Sequence, residues 1–378
     1  MSIRTRITAA SPSPRPASIA RAASAAGALL LLAACSGAGR DGAGAGGDAE
    51  SSASALAPDT YAWGFAWVDP PYGISSSYSF NSTGGSNTYS GSAGDYVVTM
   101  NGLGVSGGTV QVVAYGSTAT RCKVANWGPS GTAMSVHVRC HDPSGALAES
   151  PFVVFFNKGA SGQLGAHAWY SGSSVPATWS WNSAGGVNAV TQTSVGHYTV
   201  SLPGIAFSNA SVHVTAYGWG PEYCKIVSWG TRRFTSGIDV NVRCNDTSGN
   251  PTNSAFAINY TSSTPRSGMI GGHAWIDSAT TASSFYQSEQ DLVECFSASP
   301  ITVSGFADVN FPDIYDAQIP TTTLSTAYGD DGSYCKVRNW LPAGSGYTAH
   351  TSCFTAAGAE ATTRFTSSFM SGSYPGPC

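Results

Sequence analysis

Apolar and polar residues alternate along the chain in short runs. Val110-Gln111-Val112-Val113-Ala114-Tyr115 and Val212-His213-Val214-Thr215-Ala216-Tyr217 have this pattern, as do Val136-His137-Val138-Arg139-Cys140 and Val240-Asn241-Val242-Arg243-Cys244. A period of two over five or six residues predicts half-buried antiparallel strands. Turn signals lie between the runs: Gly84-Gly85, Ser144-Gly145, Gly185-Gly186, Ser248-Gly249-Asn250 and Asp331-Gly332. About seven such strands per roughly 100 residues is the spacing of a β-sandwich.

The runs belong to three copies of one pattern. Ala66-Trp67, Ala168-Trp169 and Ala274-Trp275 open the copies. Ala-Tyr-Gly follows, at Tyr115-Gly116, Tyr217-Gly218 and Tyr328-Gly329. Next come Cys122-Lys123, Cys224-Lys225 and Cys335-Lys336, then Trp127, Trp229 and Trp340. A second Cys (Cys140, Cys244, Cys353) and a Phe-rich segment (Phe152, Phe256, Phe365) close each copy. The third copy carries extra residues in its first half. The expected fold is all-β: three tandem antiparallel β-sandwich domains at 59–160, 161–264 and 265–378. The linkers near Ser161-Gly162 and from Thr261 to Gly268 are short and polar, which predicts limited flexibility between domains.

The paired cysteines of each copy fall on consecutive strands, unlike the distant pair of an immunoglobulin domain. Each domain is therefore expected to hold one adjacent-strand disulfide: Cys122 with Cys140, Cys224 with Cys244, Cys335 with Cys353. A bridge closing such a loop contributes about 3 kcal/mol in the chain-entropy model. Cys295 and Cys378, both in the third copy, are candidates for a fourth pair. This usage points to an oxidising compartment. No CxxC occurs and the pairs sit in separate domains, so a zinc site is not expected.

The ninth cysteine has another explanation. Arg4, Arg6, Arg15 and Arg21 precede an apolar run from Ala22 to Ala34, which ends Leu32-Ala33-Ala34-Cys35. The run is too short to span a bilayer and reads as a signal peptide over 1–34. The Leu-Ala-Ala-Cys string resembles the lipobox of bacterial lipoproteins. That resemblance implies cleavage before Cys35 and a diacylglycerol on its thiol. Two lipid-attached acyl chains, such as palmitate, are enough for stable anchoring where one is marginal. Residues 35–58 are mostly Gly, Ala and Ser, a flexible tether. The repeated Ala-Tyr-Gly, Cys-Lys-Val, Trp and Val-x-Val-Arg-Cys strings resemble tandem modules of secreted bacterial proteins. That implies an extracytoplasmic location, on the cell membrane or outer membrane, and no particular chemistry.

Composition narrows the function classes. Charged residues make up only 10% of the 378, and acids outnumber bases 21 to 17. With no basic stripe, nucleic acid is not an expected partner. The 45 glycines divide between the tether and the turns. Aromatic residues, 11% of the chain, are the best hint of a ligand. Trp219 sits in a Gly-Pro turn with no aromatic counterpart in the other copies, so it is expected on the surface. Trp179 and Trp181, two apart, read either as core or as a platform for a sugar ring. Lys123, Lys225 and Lys336 alternate away from the disulfide and are expected in solvent.

Other motifs carry less. Gly104-Val105-Ser106-Gly107-Gly108 matches G-x-S-x-G, but a strand follows it where a nucleophile elbow needs a helix. His167 and His273 occupy a position that is Phe65 in the first copy, which favours packing over catalysis. His137 and His141 are about 13 Å apart along an extended strand, too far to share a metal. Acids concentrate in the third copy: Glu289, Asp291, Glu294, Asp308, Asp313, Asp316, Asp330 and Asp331. They suggest a solvated face, with Ca²⁺ or a hydrolase centred on Asp313 and Asp316 as lesser readings. No cofactor is expected. The leading reading is a non-enzymatic surface interaction or adhesion module that binds glycan or an envelope polymer. The alternatives are a structural spacer without a ligand and the hydrolase.

Overall fold

The computed structural model describes residues 61–70, 72–160, 163–207, 210–233, 235–261, 271–287, 301–305, 307–312, 320–343 and 346–372. Cys35 with its leader and tether, Cys295, Cys378, and the acids Glu289, Asp291, Glu294, Asp313 and Asp316 lie outside the described residues. Repeat 1 forms β1 (Ala62–Asp69), β2 (Gly73–Asn81), β3 (Asn87–Ser92), β4 (Asp95–Met100), β5 (Thr109–Ala114), β6 (Arg121–Ser130), β7 (Ala133–His141) and β8 (Phe152–Lys158). Repeat 2 forms β9 (Gly165–Tyr170), β10 (Ser180–Asn182), β11 (Ala189–Ser194), β12 (His197–Pro203), β13 (Ser211–Tyr217), β14 (Tyr223–Thr231), β15 (Gly237–Asn245) and β16 (Ala255–Thr261). Repeat 3 forms β17 (Gly271–Ile276), β18 (Ala282–Gln287), β19 (Thr302–Ser304), β20 (Asp308–Phe311), β21 (Thr321–Tyr328), β22 (Tyr334–Ala343), β23 (Gly346–Phe354) and β24 (Arg364–Ser371).

Each repeat divides its strands between two arrays in the same order. In repeat 1 these are β2-β1-β8-β5 and β6-β7-β4-β3. Repeat 2 has β10-β9-β16-β13 and β14-β15-β12-β11, and repeat 3 has β18-β17-β24-β21 and β22-β23-β20-β19. The arrays do not end at the repeat boundaries. Strand β6 pairs in parallel with β13 through Val124 and Tyr217, and β14 with β21 through Ile226 and Tyr328. Two sheets therefore run to eight strands, each shared by two repeats. A third parallel bridge joins Tyr115 to Val337 of β22, linking the last repeat back to the first. The described residues all belong to one compact unit, 52–378.

Alternation sets the outer strands. On β4, Tyr96, Val98 and Met100 point inward while Asp95, Val97 and Thr99 are partly exposed. On β7, Val136, Val138 and Cys140 are buried while Ser135, His137 and Arg139 are partly open. These inward faces meet Val110, Val112, Phe152, Val154 and Phe156 from the opposing array to make the core of repeat 1. Repeat 2 repeats the arrangement with Tyr198, Val200, Leu202, Val240, Phe256 and Ile258.

The inner strands depart from the expected half-burial. All of β5 is buried, Gln111 included, and β13 and β21 are buried up to their final Tyr. Their second face meets the neighbouring repeats where simple tandem domains would meet water. The polar residues on that face bond across the seams. His213 shares hydrogen bonds with Thr326 Oγ1 (2.9 Å) and Ser368 Oγ (2.6 Å), and Gln111 Nε2 donates to the Ala257 carbonyl at 3.3 Å. On the remaining side, Trp63, Phe65, Val153 and Phe155 of repeat 1 join one apolar cluster with Phe311, Phe365 and Phe369 of repeat 3. The first and last repeats thus share a core.

Three disulfides join adjacent strands as expected: Cys122–Cys140, Cys224–Cys244 and Cys335–Cys353, each with a Cα separation of 4.0 Å. They indicate an oxidising, extracytoplasmic environment.

Candidate functional site

The repeated motif residues assemble the seams between repeats. At each seam the glycine of Ala-Tyr-Gly donates its N–H to a carbonyl of the neighbour: Gly218 to Val124 (3.0 Å), Gly329 to Ile226 (2.8 Å) and Gly116 to Val337 (2.9 Å). These glycines have φ of +112°, +118° and +99°, a conformation that side chains with a Cβ rarely adopt. The preceding Tyr enters an aromatic cluster. Trp127 of repeat 1 meets Trp169 and Tyr217 of repeat 2 at 5.8 and 5.3 Å. Trp229 of repeat 2 meets Trp275 and Tyr328 of repeat 3 at 5.2 and 5.4 Å. Trp340 of repeat 3 meets Tyr115 of repeat 1 at 5.6 Å, and Tyr115 meets Trp67 at 5.3 Å. Most of these rings meet edge to face, the favoured geometry of aromatic pairs.

The three recurring lysines also lie in the seams, which corrects their expected exposure. Lys123, Lys225 and Lys336 are 3%, 1% and 0% exposed. They do alternate away from the disulfide, but the face they occupy is covered by the next repeat. Lys123 Nζ donates to the Gly220 carbonyl (2.9 Å) and to Glu222 Oε2 (3.1 Å). Lys225 Nζ donates to Asp331 Oδ1 (2.5 Å) and Ser333 Oγ (2.8 Å). Lys336 Nζ donates to the Thr118 carbonyl (2.9 Å) and Thr120 Oγ1 (3.2 Å). The receiving residues stand at matching places after the Tyr of each Ala-Tyr-Gly. Two seams supply a carboxylate there, and the third supplies threonine.

The charges respond to this difference. Burial lowers the Lys123 and Lys225 ammoniums below their usual range, and Glu222 and Asp331 pull them back. Burial also works to raise Asp331, but hydrogen bonds from Lys225 and Ser333 outweigh it and hold the carboxyl down at about 2. Lys336 has no such partner, and burial brings it down to about 7.

One position before each Cys stands a second inward residue: Arg121, Tyr223 or Tyr334. The two tyrosines bond across their seams, Tyr223 Oη to the Gly332 carbonyl (2.5 Å) and Tyr334 Oη to the Ala119 carbonyl. Arg121, only 6% exposed, makes no such bond. Its guanidinium lies over the rings of Tyr223 (4.7 Å) and Tyr334 (5.3 Å), and none of its three nitrogens has a hydrogen-bond partner. These residues line a cavity of about 60 Å³ between the three repeats, together with the lysines and the inner strands.

The rim holds a different feature. Trp219 is 51% exposed, as its Gly-Pro turn suggested. Arg139 of repeat 1 lies over its ring at 4.8 Å, and His137 meets its edge at 5.7 Å. Arg139 is itself fixed, with Nη2 on Asp95 Oδ2 (2.7 Å) and Nη1 on the Trp219 carbonyl (2.8 Å). At the matching place in the next seam, Asp330 takes the position of Trp219 and pairs with Arg243 at 2.9 Å.

Trp179 and Trp181 are not an open platform. Trp179 ends a short 3₁₀ turn (Ala177–Trp179) and packs on Trp127 at 5.6 Å. Trp181 stacks on His167 at 5.9 Å and crowds Gly159 so closely that a Cβ there would meet its ring at 2.2 Å. Both are half-buried. Burial drives His167, His213 and His273 down to about 3, so they are neutral packing groups at ordinary pH. Ser106 is an exposed residue in an otherwise largely buried loop that leads directly into β5. Of the acids singled out in the third copy, the described ones are bound to a cation or histidine: Asp308 to His350 (2.6 Å), Asp330 to Arg243 and Asp331 to Lys225. Among the described residues no three His, Cys, Asp or Glu side chains gather as a metal site would require.

Sequence reasoning missed the cavity. The available signal was the lysine recurring three times beside Cys, with an acid or hydroxyl at a fixed offset after each Tyr. No family model, curated protein or solved structure matches the chain.

Proposed function

We propose that the chain is an extracytoplasmic lipoprotein, anchored by acyl chains on Cys35, whose three β-sandwich repeats close into a ring that serves as a non-enzymatic binding module. The proposed ligand is a glycan or another envelope polymer, and the proposed contact is the Trp219 rim. The observation that carries this reading is the exposed Trp219 ring held by a fixed cation. Apolar rings with a polar surround stack on sugar faces, and Arg139 and His137 supply donors beside this one. Trp179 and Trp181 are packed against other rings, which leaves Trp219, of the three tryptophan candidates, as the ring best placed for a partner.

The test is binding of the purified protein to a glycan array and to isolated cell-envelope polymers, beside Trp219→Ala. The expected result is saturable binding that falls tenfold or more in the variant. No binding to any glycan or polymer defeats the proposal. The anchor is tested separately by labelled fatty acid, which attaches to the native chain and not to Cys35→Ala.

A second reading is a rigid structural spacer. It is supported by the use of the recurring Trp, Tyr-Gly and Lys residues in joining repeats. Under it, replacing the repeats by unrelated sandwiches of equal length leaves envelope function unchanged.

A further inference from the structure

The cavity between the repeats is lined by four basic side chains: Arg121, Lys123, Lys225 and Lys336. Carboxylates reach two of them, Glu222 on Lys123 and Asp331 on Lys225. Lys336 has only a carbonyl and a hydroxyl. Arg121 has tyrosine faces and no carboxylate, and its nitrogens meet no partner in good hydrogen-bond geometry. A buried lysine can shed its proton, but a guanidinium cannot. An uncompensated guanidinium inside a protein is unfavourable unless a counterion and acceptors meet it. The Tyr223 and Tyr334 hydroxyls spend their protons on carbonyls across their seams, and what the Tyr334 oxygen can offer the guanidinium is a neutral acceptor, not a counter-charge.

We propose that this cavity binds a small oxyanion, held by the Arg121 guanidinium and the Lys336 ammonium. The planar fork of arginine matches two oxygens of a phosphate, sulfate or carboxylate, and the ammonium adds a point charge. The space sets the size. A water needs at least 10–15 Å³ of such volume, so about 60 Å³ takes a few waters or one small oxyanion and excludes a sugar chain or nucleotide. The position also explains why one repeat carries Arg where the others carry Tyr. Three tyrosines would close the seams alike, and a single Arg provides one acceptor-seeking group in the middle. The site is separate from the Trp219 rim, and either can fail without the other.

The test uses the purified full chain in a buffer free of polyvalent anions. Phosphate, sulfate and acetate are titrated at ionic strength held constant with chloride, followed by calorimetry and thermal unfolding. Saturable one-to-one binding is expected, with a rise in Tm of about 3 °C at ten times Kd. Stronger binding of phosphate and sulfate than acetate assigns a tetrahedral anion; the reverse assigns a carboxylate. Arg121→Met is expected to weaken binding tenfold or more. Lys336→Met is expected to weaken it measurably, and it keeps the test decisive if the first variant does not fold. No saturable heat with the native chain overturns the proposal, as does undiminished binding in both variants. A Tm rise that is linear in salt and equal in native and variant proteins is general salt exclusion and also overturns it.

Discussion

Lys336 offers a direct check on the electrostatics of the seams. It is fully buried, its burial brings its pKa from 10.5 to about 7, and no carboxylate contacts it. Because the folded pKa is depressed, the unfolded chain keeps a proton between pH 7 and 10.5 that the folded chain releases. Stability therefore rises with pH through this window, by up to about 1.4 kcal/mol per unit. Integrated from pH 7 to 9, the two pKa values give a rise of about 2 kcal/mol from this group alone. Lys336→Met keeps the aliphatic stem and removes the titration. The assay is urea denaturation of the native and variant proteins at pH 7, 8 and 9 in anion-poor buffer. Lys123 and Lys225 are lowered in the same sense, but they are common to both proteins and cancel in the difference. The tyrosines facing the cavity do not confuse this window, since burial raises Tyr223 to about 12 and raises Tyr334 as well. The expected result is a native stability that climbs relative to the variant by about 2 kcal/mol over these two pH units. Parallel curves would refute the burial of an uncompensated ammonium at this seam.

The same comparison predicts the effect of adding the missing acid. Thr118 stands where repeat 3 has Asp331, so Thr118→Asp is expected to raise stability at pH 7 by roughly 1–2 kcal/mol and to flatten the pH dependence just described, both read by urea denaturation. Trp127 is buried at the first seam among Trp169, Trp179 and Tyr217. Trp127→Ala should cost about 3–5 kcal/mol by chemical denaturation. A loss below about 1 kcal/mol, the range of a surface substitution, would mean that the cluster does not hold the repeats together.

The secondary structure was legible because the outer faces obey simple alternation. Val136-Val138-Cys140 and Val240-Val242-Cys244 point inward as their period implies, and each disulfide joins the adjacent strands that its spacing implied. The repeats were legible for the same reason: their Trp, Tyr-Gly and Cys-Lys landmarks recur in order. The role of those landmarks was not legible. An alternating strand shows that Lys123 faces away from its disulfide, and a sheet with one wet face would then expose it. Period two cannot say whether a second face meets water or another repeat. That depends on contacts between residues one or two repeats apart, such as Lys123 with Glu222 and Tyr115 with Val337. A residue conspicuous by repetition therefore reads equally as a repeated ligand site and as a repeated joint, and here the repetition marks joints. Departures from the repeat are the better guide to chemistry. Arg121 replaces a tyrosine and has no partner for its nitrogens, Lys336 faces threonine where its counterparts face acids, and Trp219 stands exposed where the next seam places Asp330 in an ion pair. Each breaks a pattern that the other seams keep for structural reasons, so these three positions are where a ligand has most to recognise.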